Sequence, residues 1–271
     1  MIIDVHTHLN NYDESRKVPI QHTLDELQES MRFNKVDHVM ILTSYAVNDH
    51  RYSVREVVEA TEAIPNMHVV AGVSLTSYRE RDLREIADLL RAGRVVGLKL
   101  YPGYEPFYVY DQRCRVIYDL AEEFDVPVMI HTGDTFDPKG KVRFSHPLTV
   151  DDVAVDHPNV KFVICHVGNP WIRDCMEVVY KNKNAFADIS GLVLGDFKSK
   201  FKQFMLKQVK EMILYAGEPR YLLYGTDWPI CRMRTYIPFV ESLGLSEEGK
   251  QMIFWKNAAR LFKIDVGVPV Q

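Results

Sequence analysis

Cysteine is scarce and scattered in this chain of 271 residues: Cys114, Cys165, Cys175 and Cys231 form no CxxC pair. A zinc-thiolate knuckle and a disulfide framework are thereby excluded, and the four read as reduced thiols. Positive charge is not in excess either, since 33 Lys and Arg face 37 Asp and Glu for a formal net charge of −4. Neither a nucleic-acid backbone nor an anionic membrane is expected as a partner, because both demand clustered positive charge. A small-molecule substrate is expected instead, with self-association into a homo-oligomer left open. No apolar run approaches the roughly 18 residues of a membrane span. No Pro/Gly/Ser-rich linker, low-complexity tract or internal repeat divides the chain, so residues 1–271 read as one domain. The opening, MIIDVHTHLN, begins directly on a strand-like run rather than on a basic segment followed by an apolar one. A cytoplasmic location is the resulting expectation.

What is present is a rhythm of short, β-branched apolar runs. They fall at 2–6, 38–43, 68–75, 95–101, 126–132, 160–167, 185–190 and 220–226. Near-continuous hydrophobicity of this kind suits parallel strands covered on both faces. Between them lie stretches of helical period, such as 111–124, where Val116, Ile117, Leu120, Ala121 and Phe124 share one face. Thr23 before Glu26 and Ser77 before Glu80 read as capping boxes at helix starts. Strand-helix alternation implies right-handed parallel crossovers, and eight units over about 250 residues point to a (β/α)8 TIM barrel of the α/β class. The stretch from about Ser246 adds an extra C-terminal helix outside the eight units.

Polar residues stand at the carboxyl ends of these runs, where barrel enzymes place their active sites. His6 and His8 in IIDVHTH are two residues apart, so period-2 alternation puts both on one face of the first strand. An isolated HxH is as often structural as functional. His131 ends VPVMIHTGD, His166 ends VKFVICHVG and Asp227 ends RYLLYGTDWP. Imidazoles and a carboxylate buried together at one barrel mouth require partners, and a divalent cation supplies them. Neutral imidazole and carboxylate without cysteine suit a catalytic zinc with an open position. Asp4 on the HxH face and Asp188 near the seventh strand end read either as acceptors that orient ligands or as structural pins.

The set DVHTH, GLKLYPGY, MIHTGD, ICHVG, ADISG, GTDWP and NAARLF, spread from residue 2 to about 262, resembles the amidohydrolase superfamily. The likeness is to its amidohydrolase-related branch of metal-dependent hydrolases and aromatic-acid decarboxylases. By that resemblance His6, His8 and His131 are metal ligands. Asp227 is a ligand and general base, and His166 a ligand or catalytic partner. Lys99, at the end of the fourth strand, has two readings. In related binuclear enzymes a lysine there is carboxylated and bridges two metals; otherwise it stays an ammonium that binds a substrate carboxylate or carbonyl, which is the preferred reading. One zinc ion is thus expected, two if Lys99 is carboxylated.

Tyr101, Tyr104, Trp228 and Arg232 follow strand ends and are candidates to line a pocket, with loop packing as the plainer alternative. Arg143 and His146 lie in a long stretch after the fifth strand, where Arg143 is a candidate to bind an anion over the mouth. His22, His38, His50, His68 and His157 fall outside the strand-end pattern and are assigned no site. The leading expectation is hydrolysis of a small amide, lactam, lactone or ester by a metal-activated water, with Asp227 moving the proton. Nonoxidative decarboxylation of an aromatic or unsaturated acid is the alternative, and a noncatalytic metal-binding barrel the third reading.

Overall fold

The computed structural model describes residues 1–267. Eight strands run in sequence order within one parallel sheet: β1 (Ile3–Thr7), β2 (His38–Leu42), β3 (Met67–Gly72), β4 (Val95–Leu100), β5 (Val128–Ile130), β6 (Phe162–Ile164), β7 (Ala185–Asp188) and β8 (Leu222–Leu223). Backbone bonds close the ring: Val5 N donates to the Tyr224 carbonyl at 3.0 Å, Asp227 N to that of His6 at 2.8 Å and His8 N to that of Trp228 at 2.9 Å. Each strand is followed by a covering helix: α1 (Ile20–Asn34), α2 (Val54–Ala60), α3 (Glu80–Arg91), α4 (Arg115–Phe124), α5 (Leu148–Asp156), α6 (Ile172–Lys181), α7 (Ser199–Ala216) and α8 (Met233–Glu241). This is the expected (β/α)8 barrel. The strand residues Val5, Ile41, Val70, Leu98, Met129, Val163 and Leu223 are buried, which is why the strands read as continuous apolar runs rather than alternating ones.

The C-terminal stretch is helical from Glu247 to Phe262, with a π-helical turn over Met252–Lys256. It seals the closure at β8: Asn257 Nδ2 donates to the carbonyls of Pro219 and Leu222 at 3.0 and 2.8 Å, and Tyr224 N donates to the Ile253 carbonyl at 2.9 Å.

Two local expectations fail. Thr23 lies inside α1, its hydroxyl donating to the Ile20 carbonyl, and Ser77 lies before α3, bonding Ser74. The capping box that forms is Ser53 with Glu56 at the start of α2. An S/T-x-x-E spelling is common by chance and becomes a cap only where the chain enters a helix in extended conformation, as Ser53 does. Strands β5, β6 and β8 also stop short of the apolar runs that encode them, ending at Ile130, Ile164 and Leu223. Beyond those ends the chain turns, with left-handed backbone at His166 (φ 62°), Val167 (φ 46°) and Asp227 (φ 71°). Such conformations are unusual for non-glycine residues and persist where surrounding structure enforces them, typically at functional sites. Here the turns carry His166 and Asp227, both of which line the mouth, while Val167 is buried in the core.

Candidate metal centre

His6 on β1, His8 one residue past it and Asp227 after β8 form a buried donor cluster whose ligand atoms lie within 4.8 Å of one another. Asp227 Oδ1 is 3.2 Å from His8 Nε2 and 3.7 Å from His6 Nε2. The other nitrogen of each ring is already engaged. His8 Nδ1 lies 2.8 Å from the Leu42 carbonyl, which can only accept, so His8 carries its proton there and leaves Nε2 as a lone pair. His6 Nδ1 lies 3.0 Å from Asp188 Oδ2 and 3.0 Å from Ser190 Oγ. The Ser190 hydroxyl donates to Asp188 Oδ1, so toward the imidazoles it accepts, and His6 too presents Nε2 unprotonated. Fixing one ring nitrogen on an acceptor so that the other is a ready ligand is how metal-binding histidines are held. The donor set therefore fits a divalent cation.

His166 and His131 complete the ring of imidazoles. The centroid of His166 lies 4.8 Å from that of His6 and 5.2 Å from that of His131. His166 Nδ1 sits 2.9 Å from Ser190 Oγ, the same acceptor, which frees its Nε2. His131 Nε2 is 3.1 Å from the Asp134 carbonyl, which leaves its Nδ1 as the lone pair. His131 and His166 thus share the cavity but stand outside the tight His6–His8–Asp227 cluster. Gly191 keeps the arrangement possible: its φ is +63°, and a Cβ there would meet His166 Nδ1 at 2.4 Å.

The charges are set for cation binding. Burial pushes the His6 imidazole down to about 4 against the opposing pull of Asp188. Burial likewise lowers His131, with His166 adding to the effect, and lowers His166 against Asp227 and Asp188. Burial acts to raise Asp227, but the surrounding imidazoles of His8, His6 and His166 outweigh it and hold the carboxyl below its ordinary range. Neutral imidazoles around an ionised carboxylate are the protonation states a metal needs.

Asp188 is the hub beneath. Its carboxylate accepts from His6 Nδ1, from the backbone N of His166 (2.9 Å) and Ser190 (3.0 Å), and from the Ser190 hydroxyl. Of its two readings, the orienting one describes these contacts. Asp4 differs: it binds the backbone of His6 (3.1 Å) and both the N (3.0 Å) and hydroxyl (2.7 Å) of Thr226, so it pins β1 to the turn that carries Asp227. Burial raises its carboxyl to about 7.

Lys99 on β4 is 1% exposed, lines the cavity beside the imidazoles, and sets Nζ 2.7 Å from Cys165 Sγ. Among the described residues no carboxylate pairs with it. Tyr101 also lines the cavity, its hydroxyl on the Thr43 carbonyl at 2.5 Å, as does Tyr104, which accepts from Phe136 N at 3.0 Å. The remaining candidates lie elsewhere. Arg143 is exposed, its guanidinium 4.7 Å from the ring of its neighbour Phe144, and His146 packs against Trp171 with the rings tilted by 44°. Trp228 and Arg232 line an outer groove, where Arg232 pairs with Asp196 at 3.8 Å. In their place the cavity takes Arg51, Tyr12 and Tyr45 from loops after β1 and β2, for which the sequence carries no periodic signal.

An eight-stranded parallel barrel with a buried histidine-aspartate cluster at the carboxyl ends of its strands defines a metal-dependent barrel enzyme. The amidohydrolase family model matches residues 3–264, and the chain belongs to that family. A curated relative, the gamma-resorcylate decarboxylase of Rhodococcus jostii strain RHA1, is 22% identical over 195 residues, covering 60% of this chain and 58% of the relative. The match thus spans under three fifths of that relative's length. Among solved structures, a dihydroxybenzoic acid decarboxylase from Polaromonas sp. JS666, with manganese and the inhibitor 2-nitroresorcinol bound, has a TM-score of 0.70 at 17% identity, covering 97% of this chain and 96% of that one. A probable 2-pyrone-4,6-dicarboxylic acid hydrolase from Acinetobacter baumannii has a TM-score of 0.68 at 14% identity, covering 97% and 99%. At these identities the structural likeness speaks to the fold. Among the described residues, no helix is long and apolar enough to cross a membrane.

Proposed function

We propose that the chain is a metal-dependent, nonoxidative decarboxylase of a hydroxylated aromatic acid. The carrying observation is Lys99, a buried lysine on the cavity wall whose one hydrogen-bond partner among the described residues is a thiol. Burial of an unpaired ammonium costs several kcal/mol, on the order of a full hydrogen-bonded charge pair, and an acid substrate supplies the missing anion. With one of its three donors on Cys165 Sγ, two remain for a carboxylate. Arg51 lines the same cavity, with one guanidinium nitrogen on the Glu14 carboxylate at 3.0 Å and its remaining donors open to a second anion. The curated relative is named for decarboxylation of such an acid, so this reading stands ahead of the hydrolysis expected from the motifs.

His6, His8 and Asp227 would hold the cation, which when bound would supply Lewis acidity toward the substrate's oxygens. We propose manganese, as in the Polaromonas structure, in place of the expected zinc, and one ion rather than two. Lys99 stays an unmodified ammonium, since its Nζ is turned to Cys165. Asp227 Oδ2 has no hydrogen-bond partner among the described residues and is free to move a proton. It takes the proton of a hydroxyl ortho to the carboxyl group and delivers it to the ring carbon bearing that group. The bond between ring and carboxylate then breaks, its electron pair restores the aromatic ring, and carbon dioxide leaves. Lys99 holds the carboxylate during protonation.

A second reading, hydrolysis of a ring ester bearing an acid group, is favoured by the ionised state of Asp227, which suits a base acting on water. The products separate the two. Manganese-loaded protein incubated with 2,6-dihydroxybenzoate and related hydroxybenzoates should release carbon dioxide with loss of one carbon and no added water. Ring opening with uptake of water instead, on a pyrone dicarboxylate, would establish the second reading. Elemental analysis of protein purified without chelator should find one manganese per chain; stoichiometric zinc overturns the metal assignment.

A further inference from the structure

The cavity at the barrel mouth has two arms that meet at the donor ring. His131, His166 and Asp227 face both, and Tyr104, Phe136 and Ile230 form the shared rim. The inner arm, about 110 Å³, holds Lys99, which no carboxylate pairs among the described residues, and Arg51, paired with Glu14 at 3.0 Å, with tyrosine hydroxyls around them and Asp137 at its edge. The outer arm, about 390 Å³, differs in size and chemistry. It has no lysine or arginine, carries the carboxylate of Asp134, and is walled by Leu192, Val193, Leu194 and, from α7, Phe201. Leu194 is 64% and Phe201 40% exposed, so these are apolar groups left open beside a polar centre.

We propose that the outer arm is a subsite for an apolar, ring-sized extension of the substrate. The acid end enters the inner arm toward Lys99 and Arg51, the reacting carbon stands at the ring of imidazoles, and a hydrocarbon or aryl substituent lies against Leu194 and Phe201. The direction of binding rests on the acid reading above; the apolar arm does not. Charge supports this orientation, because a carboxylate in the outer arm would meet Asp134 and no cation. Size supports it as well, since the outer arm is more than three times the inner one. A substrate limited to one small ring leaves that apolar wall in water, whereas an extended one covers it at a gain proportional to the area removed from water. Leu194 and Phe201 are then specificity-determining residues.

The test is calorimetric titration of the manganese-loaded chain with benzoate, biphenyl-4-carboxylate, benzamide and biphenyl-4-carboxamide. Wild type should bind each biphenyl compound about tenfold tighter than its single-ring counterpart. In the double variant Leu194→Ser, Phe201→Ser that preference should fall below about threefold. Phe204→Ser, on the same helix but outside the cavity, serves as a folded control and should retain the full preference. Equal affinities in wild type, a preference that survives the double variant, or its equal loss in Phe204→Ser overturns the subsite. Absence of binding by all four compounds overturns it too. A biphenyl preference present in both pairs, with acids binding no better than amides, sustains the arm while refuting the acid reading. Light scattering on the same samples completes the test. A drop in oligomeric state in the double variant, with ligand preference unchanged, assigns this face to a second copy of the chain and overturns the proposal.

Discussion

Two histidine groups sit at opposite ends of the barrel, and their difference shows what turns imidazoles into a ligand set. At the mouth, each ring of the His6–His8 pair is tied through Nδ1 to a carboxylate or carbonyl, and the freed Nε2 atoms face Asp227. At the floor, His38 and His68, the first residue of β2 and the second of β3, stack with centroids 5.4 Å apart, His38 Nδ1 lying 3.2 Å from His68 Nε2. Here one imidazole is the partner of the other, and no carboxylate completes a set. The first arrangement leaves lone pairs pointing at a common point; the second spends one of its two lone pairs on the neighbouring ring's N–H.

The comparison breaks most sharply at Asp227. Asp227→Asn keeps the shape but removes both the negative charge and the proton carrier, so turnover should fall about 10³-fold with circular dichroism unchanged. Retention of more than a tenth of wild-type rate on a turned-over substrate would remove Asp227 from the mechanism. Asp188→Asn tests the tie beneath rather than the ligand. Loss of its charge frees the His6 ring, and manganese affinity, measured by competition with a chelating dye, should weaken about 10- to 100-fold. An unchanged affinity would mean that the ring needs no such anchor.

Lys99→Met separates function from stability. The substitution replaces a buried cation by an apolar side chain of similar length, so the KM for a hydroxybenzoate should rise roughly 10- to 100-fold, the equivalent of a charged hydrogen bond. The melting temperature should hold or increase, because burying an unpaired charge is costly. A fall in stability with KM unchanged would make Lys99 a structural partner of Cys165 and nothing more.

Why some of this was legible in the sequence and some not follows from the geometry. His6, His8 and Asp227 could be grouped because each interrupts or ends an apolar run, and in a barrel every strand end reaches the same rim. Lys99 and Tyr101 were legible for the same reason. Arg51 was not: it reaches the cavity from an irregular loop, where no period fixes direction. Arg143 and Arg232 were misplaced by the same gap, since counting residues past a strand end says nothing about which way the loop folds. Ser190, which accepts from two imidazoles while donating to Asp188, is a short polar residue in ADISG whose role exists only once the ends of β1, β6 and β7 meet at one rim. The capping pattern at Thr23 shows the converse, a local spelling without the local conformation to use it.

The floor pair yields the smallest effect and the cleanest sign. Burial, aided by the charge of His38, pushes His68 from 6.5 down to about 4, and His38 is lowered by burial against the pull of Asp37. Between those limits the unfolded chain binds a proton that the folded chain refuses, so stability is intact above about pH 6.5 and declines as pH falls toward 4. His68 is half-buried, and solvent screening holds the decline to about 1–2 kcal/mol. Asp4, raised from 3.8 to about 7, acts in the opposite direction across this whole range, so wild type alone does not isolate the pair. The readout is the difference in slope between wild type and His68→Phe in urea unfolding at pH 7.5 and pH 5. The variant should lose less stability on acidification while its activity at neutral pH stays at the wild-type level, because the floor touches neither the donor ring nor the cavity. Parallel slopes would show that the stacked imidazoles carry no proton linkage.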